Sequence, residues 1–191
     1  MLDQAVHLLG LPKRVTGFIG SARAVNTSGF EDSFTVLLHY ANGTLVTAKA
    51  TVVSPEEEQL RFWVRGDKGS FKKYHLDIQE DQLKEGMKPE DNGYGREPSE
   101  RYGRSFSIIL SCMMLFTDVM LGTLTTIKDG KPVKEVFPTV EPPTYTEYYR
   151  KLVRALGGDG DLPASGAEAS QVIRLIELAR ESSSTGRTLD V

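Results

Sequence analysis

The stretch that best combines chemically active side chains follows a predicted strand near position 74. It begins with His75, and Asp77, Gln79 and Glu80 come within the next five positions. An imidazole transfers protons near neutral pH, and carboxylate and amide groups bind the hydroxyl groups of small polar molecules. His75, Asp77 and Gln79 are therefore candidate contacts for a polar substrate. Asp77 is equally suited to cap a short helix over 79–84.

Aromatic side chains provide two further predicted substrate contacts. Trp63 lies in a predicted strand, and Tyr94 lies in the polar stretch after the short helix. Aromatic rings line ligand pockets, but on strands they more often belong to the core, and both interpretations stay open. No catalytic residue is identified, because His7 and His39 each lie beside apolar positions typical of packing.

The sequence shows no spacing typical of a metal site. It has three histidines far apart and a single cysteine, Cys112, and the glycine-rich stretch around Asp159 and Asp161 lacks the remaining ligands of a calcium loop. A single cysteine cannot form a disulfide within the chain, which favours a reducing compartment. We predict that no metal is bound and that the protein is cytoplasmic.

Composition indicates one globular domain without affinity for polyanions. Of the 191 residues, 39% are hydrophobic and 26% are charged, and the net charge is −3. Nucleic-acid-binding domains usually carry a net positive charge, so we predict no nucleic-acid partner. The apolar core of the stretch 104–121 is shorter than the roughly 20 residues that a membrane-spanning helix needs, so we predict no membrane partner.

Hydrophobic periodicity predicts the elements that position these residues. Helical spacing predicts helices over 2–9, 145–156 and 167–183. Alternating, aromatic or β-branched runs predict strands over 14–22, 34–40, 44–53, 60–64 and 70–74 and a hairpin within 123–139. Asn-Gly and Asp-Gly pairs predict tight turns at 42–43 and 129–130. This order is typical of an α+β fold with helices packed on an antiparallel or mixed sheet.

Six segments, taken in order, carry a resemblance to one known domain. They are MLDQAVHLLGLPKRV, EDSFTVLLHYANG, RFWVRGDKGSFKKYHLDIQEDQLKEG, YGREPSERYG, GTLTT and AEASQVIRLIELARESSSTGRTLDV. Together they resemble the C-terminal domain of the Gfo/Idh/MocA oxidoreductases, the family of glucose-fructose oxidoreductase and inositol dehydrogenase. The resemblance implies a single domain over 1–191, with an open, predominantly antiparallel β-sheet and helices on one face. It also implies a small-molecule ligand such as a sugar or polyol, and oligomerisation through the other face.

The groups that carry the family's redox chemistry have no counterpart in these residues. The sequence contains neither the GxGxxG turn of the dinucleotide-binding half nor the Glu-Lys-Pro element that supplies the catalytic lysine. The resemblance places the catalytic histidine one position before Met1, three residues before the aspartate that matches Asp3. We therefore expect no cofactor in this chain, with NAD(P) implied only for a full-length member, and no redox activity from the chain alone.

One stretch departs from the family pattern. Residues 104–121, RSFSIILSCMMLFTDVML, separate a Tyr-Gly pair from the TLTT strand that follows almost directly in the family. Three interpretations are open: an apolar insertion, a membrane-associating segment, or a translated intron in the gene model. If the stretch is foreign to the fold, its deletion leaves the sheet intact and raises solubility, which thermal unfolding of the deletion variant would test.

Three functions remain open on these residues. The first is the substrate-binding and oligomerisation domain of a nicotinamide-dependent sugar or polyol oxidoreductase. The second is a stand-alone domain reused as a cofactor-independent lyase, isomerase or cyclase, and the third is a non-catalytic partner subunit. We predict a homodimer or higher oligomer through the sheet face that strands 34–40 and 44–53 supply, because these strands present a mixed apolar surface.

Overall fold

The computed structural model describes residues 1–23, 29–56, 59–96, 122–137 and 145–191. In chain order the described elements are α1 (Leu2–Leu9), β1 (Arg14–Gly20), β2 (Ser33–His39), β3 (Leu45–Thr51), β4 (Leu60–Arg65), β5 (Gly69–Tyr74), α2 (Gln79–Lys84), β6 (Gly122–Lys128), β7 (Lys131–Phe137), α3 (Tyr145–Leu156), α4 (Gly166–Thr185) and β8 (Leu189–Asp190). The chain divides into unit 1, Met1–Pro55 with Ala164–Val191, and unit 2, Glu56–Pro163.

The α+β prediction is confirmed, since every described strand pair is antiparallel and α4 packs on β1. The described strands form two four-stranded sheets, with the orders β3-β2-β1-β8 and β4-β5-β6-β7, where the sequence indicates one open sheet. Pairing between distant strands depends on register and packing rather than on local pattern, so the division is not visible in the sequence. The predicted helices and strands are all present, and β8, with two residues, is too short to show a pattern.

Unit 1 is stabilised by α1 and α4, which contribute to the same core as one face of its sheet. Alternation along β1 and β2 directs every second side chain toward this core. The core residues are Ala5, Val15, Val36, Leu38, Ala48, Leu178 and Ala179. Burying one large aliphatic side chain contributes about 1.5–3 kcal/mol, so this cluster gives unit 1 a core of its own.

Helix α4 approaches β1 so closely that the contact requires a glycine. A Cβ atom on Gly17 would lie 2.0 Å from the backbone oxygen of Ala179. Beside this contact, the N–H of Gly17 donates to Oγ of Ser182 at 2.9 Å, and the Ser182 hydroxyl donates to the carbonyl oxygen of Arg187. The buried serine therefore holds the end of α4 at a defined position on the sheet.

Local signals define both ends of α4. The Ser165 hydroxyl accepts the N–H of Glu168 at 3.2 Å, and the Glu168 carboxylate accepts the N–H of Ser165 at 2.9 Å. This reciprocal pair is a capping box. The Ser165 N–H and the Ser165 hydroxyl both donate to the Glu168 carboxylate and hold its pKa below the usual value. The helix ends at Gly186, whose φ of 66° is readily adopted by glycine.

Unit 2 buries little apolar surface among its described residues. Its buried hydrophobic residues there are Ile78 and Tyr94, and α3 contains no buried residue. Val153 and Leu156 of α3 are exposed, the latter by 77%. The described part of unit 2 therefore lacks a core comparable to that of unit 1.

Three features discussed from the sequence are covered by the described residues only in part or not at all. The stretch 104–121, with Cys112, lies outside them. Within them, no helix combines the length and apolar character needed to cross a membrane. The same residues contain no group of three or more His, Cys, Asp or Glu side chains placed to hold a metal ion.

Candidate functional site

Unit 1 contains an open cavity of about 600 Å³. It lies among the N-terminal end of α1, the middle of α4 and strands β1 to β3. Its walls are mostly apolar and include Ile19, Phe34, Val36, Val172 and Ile176. A concave, mainly apolar site of this volume is typical of small-molecule binding.

Charged groups also line this cavity. Glu31 and Arg180 form an ion pair, with 2.7 Å between Oε1 and Nη2, that joins the chain before β2 to α4. Asp3 lies in the first turn of α1 and makes no hydrogen bond or ion pair with the described residues. The Asp3 carboxylate is therefore an acceptor in the cavity wall that a ligand hydroxyl could use.

Asp32 is a buried carboxylate in the same wall. It accepts the backbone N–H of Ala22 at 2.6 Å and Nε of Arg23 at 2.8 Å. These contacts hold the pKa of Asp32 below its ordinary value of 3.8, the hydrogen bond from Ala22 being the largest cause. Asp32 is thus ionised at neutral pH and fixes the chain between β1 and β2.

In unit 2, two of the predicted substrate contacts bind each other. The Asp77 carboxylate accepts the backbone N–H of Gln79 at 2.9 Å and its side-chain Nε2 at 3.0 Å, forming an Asx turn just before α2. Gln79 is buried, and its Oε1 accepts the N–H of Tyr145 at 2.9 Å. The Gln79 amide therefore joins α2 to α3, which is a structural role.

Tyr94 is buried beside this pair. Its hydroxyl finds no hydrogen-bond partner in the part of the chain that the structure describes. Burial raises the pKa of the Tyr94 phenol, and the charges of Tyr145 and Asp77 raise it further. Tyr94 consequently remains a protonated donor at neutral pH.

His75 and Trp63 lie at different places on the sheet of unit 2. His75 adopts a left-handed φ of 61°, and its N–H donates to the carbonyl oxygen of Gln59 at 2.8 Å as the chain leaves β5. Trp63 lies on β4, 50% exposed, with Arg65 and Lys72 against its ring. A role in substrate contact stays a prediction for both residues, as it does for Asp77, Gln79 and Tyr94.

Comparison with known proteins connects this fold to an enzyme family. The family model GFO_IDH_MocA_C, described as the oxidoreductase family, C-terminal alpha/beta domain, matches residues 1–191. The chain is 32% identical over 189 residues to scyllo-inositol 2-dehydrogenase (NADP(+)) IolW of Bacillus subtilis, covering 99% of this chain and 46% of IolW. The chain belongs to the Gfo/Idh/MocA family.

Other Gfo/Idh/MocA relatives show a similar identity and coverage. The uncharacterised oxidoreductase YdgJ of Escherichia coli is 33% identical over 189 residues, with 47% of its length covered. The solved structure of yvaA from Bacillus subtilis superposes with a TM-score of 0.82 at 32% identity, covering 100% of this chain and 48% of that one. YPO2259 from Yersinia pestis gives 0.82 at 28% identity. The chain spans about half the length of these relatives.

The nicotinamide dinucleotide implied by Gfo/Idh/MocA membership does not fit the described residues. A dinucleotide pyrophosphate is held where a strand of a parallel sheet leads through a glycine-rich turn into a helix. Every strand pair described here is antiparallel, and the link from β5 to α2, His75 to Ile78, contains no glycine. The described residues therefore offer no cradle for the pyrophosphate.

Sequence reasoning missed the cavity of unit 1. Its walls come from α1, three strands and α4, which are separated by more than a hundred positions in the chain. Asp3 carries the one signal that could have indicated it, because the family resemblance implies that Asp3 corresponds to the aspartate three residues after the catalytic histidine. The predicted contacts in unit 2 rested on side-chain types instead, with His75, Asp77 and Gln79 in one loop and the aromatic residues Trp63 and Tyr94 elsewhere.

Proposed function

We propose that this chain is the substrate-binding and oligomerisation domain of an NAD(P)-dependent oxidoreductase acting on a sugar, polyol or similar small molecule. The family match over residues 1–191 carries the proposal, supported by a relative that is a scyllo-inositol 2-dehydrogenase. In this proposal NAD(P), the catalytic lysine and the catalytic histidine belong to the half of the family's architecture that these residues do not match. The protein acts in the cytoplasm, and the chain alone has no redox activity.

The cavity of unit 1 is the proposed substrate site. Met1 and Asp3 both line it, and the family resemblance puts the catalytic histidine directly before Met1. The apolar walls suit the C–H groups of a ring, while the Asp3 carboxylate accepts hydrogen bonds from ring hydroxyls. This chain then contributes binding, orientation and the exclusion of water, which bring the reacting carbon to the catalytic groups.

Ligand binding by the purified chain tests this proposal. Scyllo-inositol and a panel of other polyols and sugars are compared by thermal shift, and NADPH by fluorescence titration. We expect at least one polyol to raise Tm, and Asp3→Asn to remove that shift while the matched exposed change Asp190→Asn does not. We also expect no micromolar binding of NADPH.

Two outcomes would favour other functions. Micromolar affinity for NADPH would show a dinucleotide site that the described residues do not explain, and would contradict the proposal. Conversion of a ligand without any dinucleotide would support a cofactor-independent enzyme instead. Loss of the polyol shift in Asp77→Asn or Tyr94→Phe, but not in Asp3→Asn, would move the substrate site to unit 2.

Self-association through the sheet of unit 1 is part of the proposal. The core of unit 1 lies on one face of this sheet, and the opposite face exposes Phe18 and Leu45. Exposed apolar surface of this kind is typical of interfaces. Light scattering at tens of micromolar should report a dimer or larger species, and Phe18→Ser with Leu45→Ser should shift it to monomer, whereas Leu8→Ser on α1 should not. A monomer for the unaltered chain would contradict this part.

A further inference from the structure

The sheet of unit 2 carries charge of the opposite sign to the chain. Its four described strands contain seven Lys and Arg residues against one carboxylate, Glu135. That carboxylate is already paired, at 2.6 Å, with Lys128. The described strands of this sheet therefore carry a net charge of +6, whereas the whole chain carries −3.

One face of the sheet gathers cations around the single tryptophan of the chain. Trp63 on β4 is opposite Lys72 on β5, and Arg65 lies two positions further on the same face. The Arg65 guanidinium and the Lys72 ammonium lie 4.4 and 4.6 Å from the centroid of the Trp63 ring. Neither cation pairs with a carboxylate of the described residues. Cation–π attraction holds both charges in place and leaves their N–H groups free for an anion.

Trp63 and Arg65 belong to the strand that ends the sheet order of the described residues. Within the described residues β4 pairs with β5 alone and forms the edge of its sheet. The N–H of Gly66 donates to the carbonyl oxygen of Gly69 at 2.9 Å and closes the β4–β5 hairpin. Because hydrogen bonding alternates along an antiparallel pair, Val64 also bonds to β5, and Trp63 and Arg65 point their N–H and C=O groups outward.

We propose that this edge binds an extended acidic peptide segment of another protein as an added strand. Such a strand would hydrogen-bond to the backbone of Trp63 and Arg65, and carboxylates at every second position would meet Arg65 and Lys72. Charge complementarity selects the acidic partner. A second copy of this chain fits less well, because two β4 strands paired about Trp63 would place Arg61 opposite Arg65.

Trp63 supplies the readout for a direct test, since the chain has one tryptophan. The full chain is titrated at low salt with three eight-residue peptides: alternating Glu and Thr, alternating Lys and Thr, and alternating Glu and Pro. Proline keeps the acidic charge but cannot donate to a strand. We expect the Glu-Thr peptide to change the Trp63 emission and to bind about tenfold more tightly than either other peptide, with binding that weakens as salt is added.

Matched variants locate the binding surface. Arg65→Gln with Lys72→Gln should weaken binding of the Glu-Thr peptide by about tenfold. Lys84→Gln removes a cation on α2 that is paired with Glu80 at 2.7 Å, and should leave binding unchanged. An equal loss of binding free energy per charge removed in the two variants would mean that net charge alone drives binding and would overturn the proposal.

The remaining outcomes overturn it in different ways. Equal binding of the Glu-Pro peptide excludes strand addition. Tighter binding of oligo(dT) than of any peptide identifies a nucleic-acid surface instead. If no peptide binds, the cations protect the edge from pairing with other copies, as cationic edge strands commonly do. If Arg65→Gln with Lys72→Gln removes self-association, the occupant of the edge is a second copy of this chain and not an acidic segment of another protein.

Discussion

Among the described residues, unit 1 and unit 2 each contain four antiparallel strands, yet these residues bury very different amounts of apolar surface in the two units. In unit 1 the core residues include Val15 and Leu38, which are inaccessible to solvent. In the described part of unit 2, the strands leave Leu60 and Val64 exposed, and α3 buries no residue. Among the described residues, the same sheet architecture therefore encloses a core in one unit and leaves apolar side chains exposed in the other.

The largest effect that would sharpen this comparison is the loss of a core side chain. Leu38→Ala should lower the free energy of unfolding by about 2–5 kcal/mol, because it leaves a cavity among fully buried neighbours. Leu60→Ala in unit 2, at a residue 49% exposed, should change it by no more than about 0.5 kcal/mol. Urea denaturation measures both. Similar losses would show that unit 2 is packed as tightly as unit 1.

The close approach of α4 to β1 gives the next effect. Gly17→Ala forces a Cβ atom into the backbone of α4 and should destabilise by about 1–3 kcal/mol. Gly20→Ala in the same strand has no atom within 4 Å of the new Cβ and serves as the control. If the two variants unfold at the same urea concentration, α4 is not held against β1 as described.

The glycines also show what the sequence could and could not predict. Turns were predictable because the requirement is local: Gly43 and Gly130 have φ of 84° and 72°, and each follows an Asn or Asp in a hairpin. The need for glycine at Gly17 depends on Ala179, far along the chain, so no local pattern indicates it.

In the candidate sites, too, contacts between sequence neighbours were predictable and contacts between distant residues were not. The grouping of Asp77 with Gln79 was visible because the two residues are neighbours in sequence, whereas the bond from Gln79 to Tyr145 spans 66 positions. That bond engages Oε1 of the Gln79 amide, whose role in substrate contact stays a prediction. The cavity of unit 1 is also assembled from distant segments, which explains why only the family resemblance pointed toward Asp3.

Removal of the α4 cap should have a smaller effect. Ser165→Ala removes the hydroxyl that accepts the Glu168 N–H and should cost about 0.5–2 kcal/mol. Ser184→Ala, near the other end of the helix, should cost less, because its hydroxyl donates to a carbonyl oxygen at the surface. Equal costs, measured by thermal unfolding, would mean that the cap does not define the start of α4.

The smallest expected difference between the units is in how their carboxylates affect stability at low pH. The folded state holds the pKa of Asp32 below 3.8, so its contribution is present above that pH and is lost as the pH falls through the lowered pKa. In Asp32→Asn the free energy of unfolding should therefore decrease less as the pH is lowered. Glu80→Gln breaks the exposed ion pair with Lys84 in unit 2 and should leave the pH dependence of the free energy of unfolding unchanged. Urea midpoints measured between pH 2 and 6 test this comparison. A changed pH dependence in Glu80→Gln but not in Asp32→Asn would contradict the description of Asp32 as a buried charge.

A chimera tests most directly whether this chain supplies the substrate side of a Gfo/Idh/MocA oxidoreductase. The half of IolW that precedes the residue aligned with Met1 is joined to this chain, and NADP+ reduction is followed with scyllo-inositol and other polyols and sugars. We predict turnover of at least one polyol, its loss in the Asp3→Asn chimera, and none with the chain alone. A folded chimera that binds NADPH but oxidises no member of the panel would contradict the proposed function.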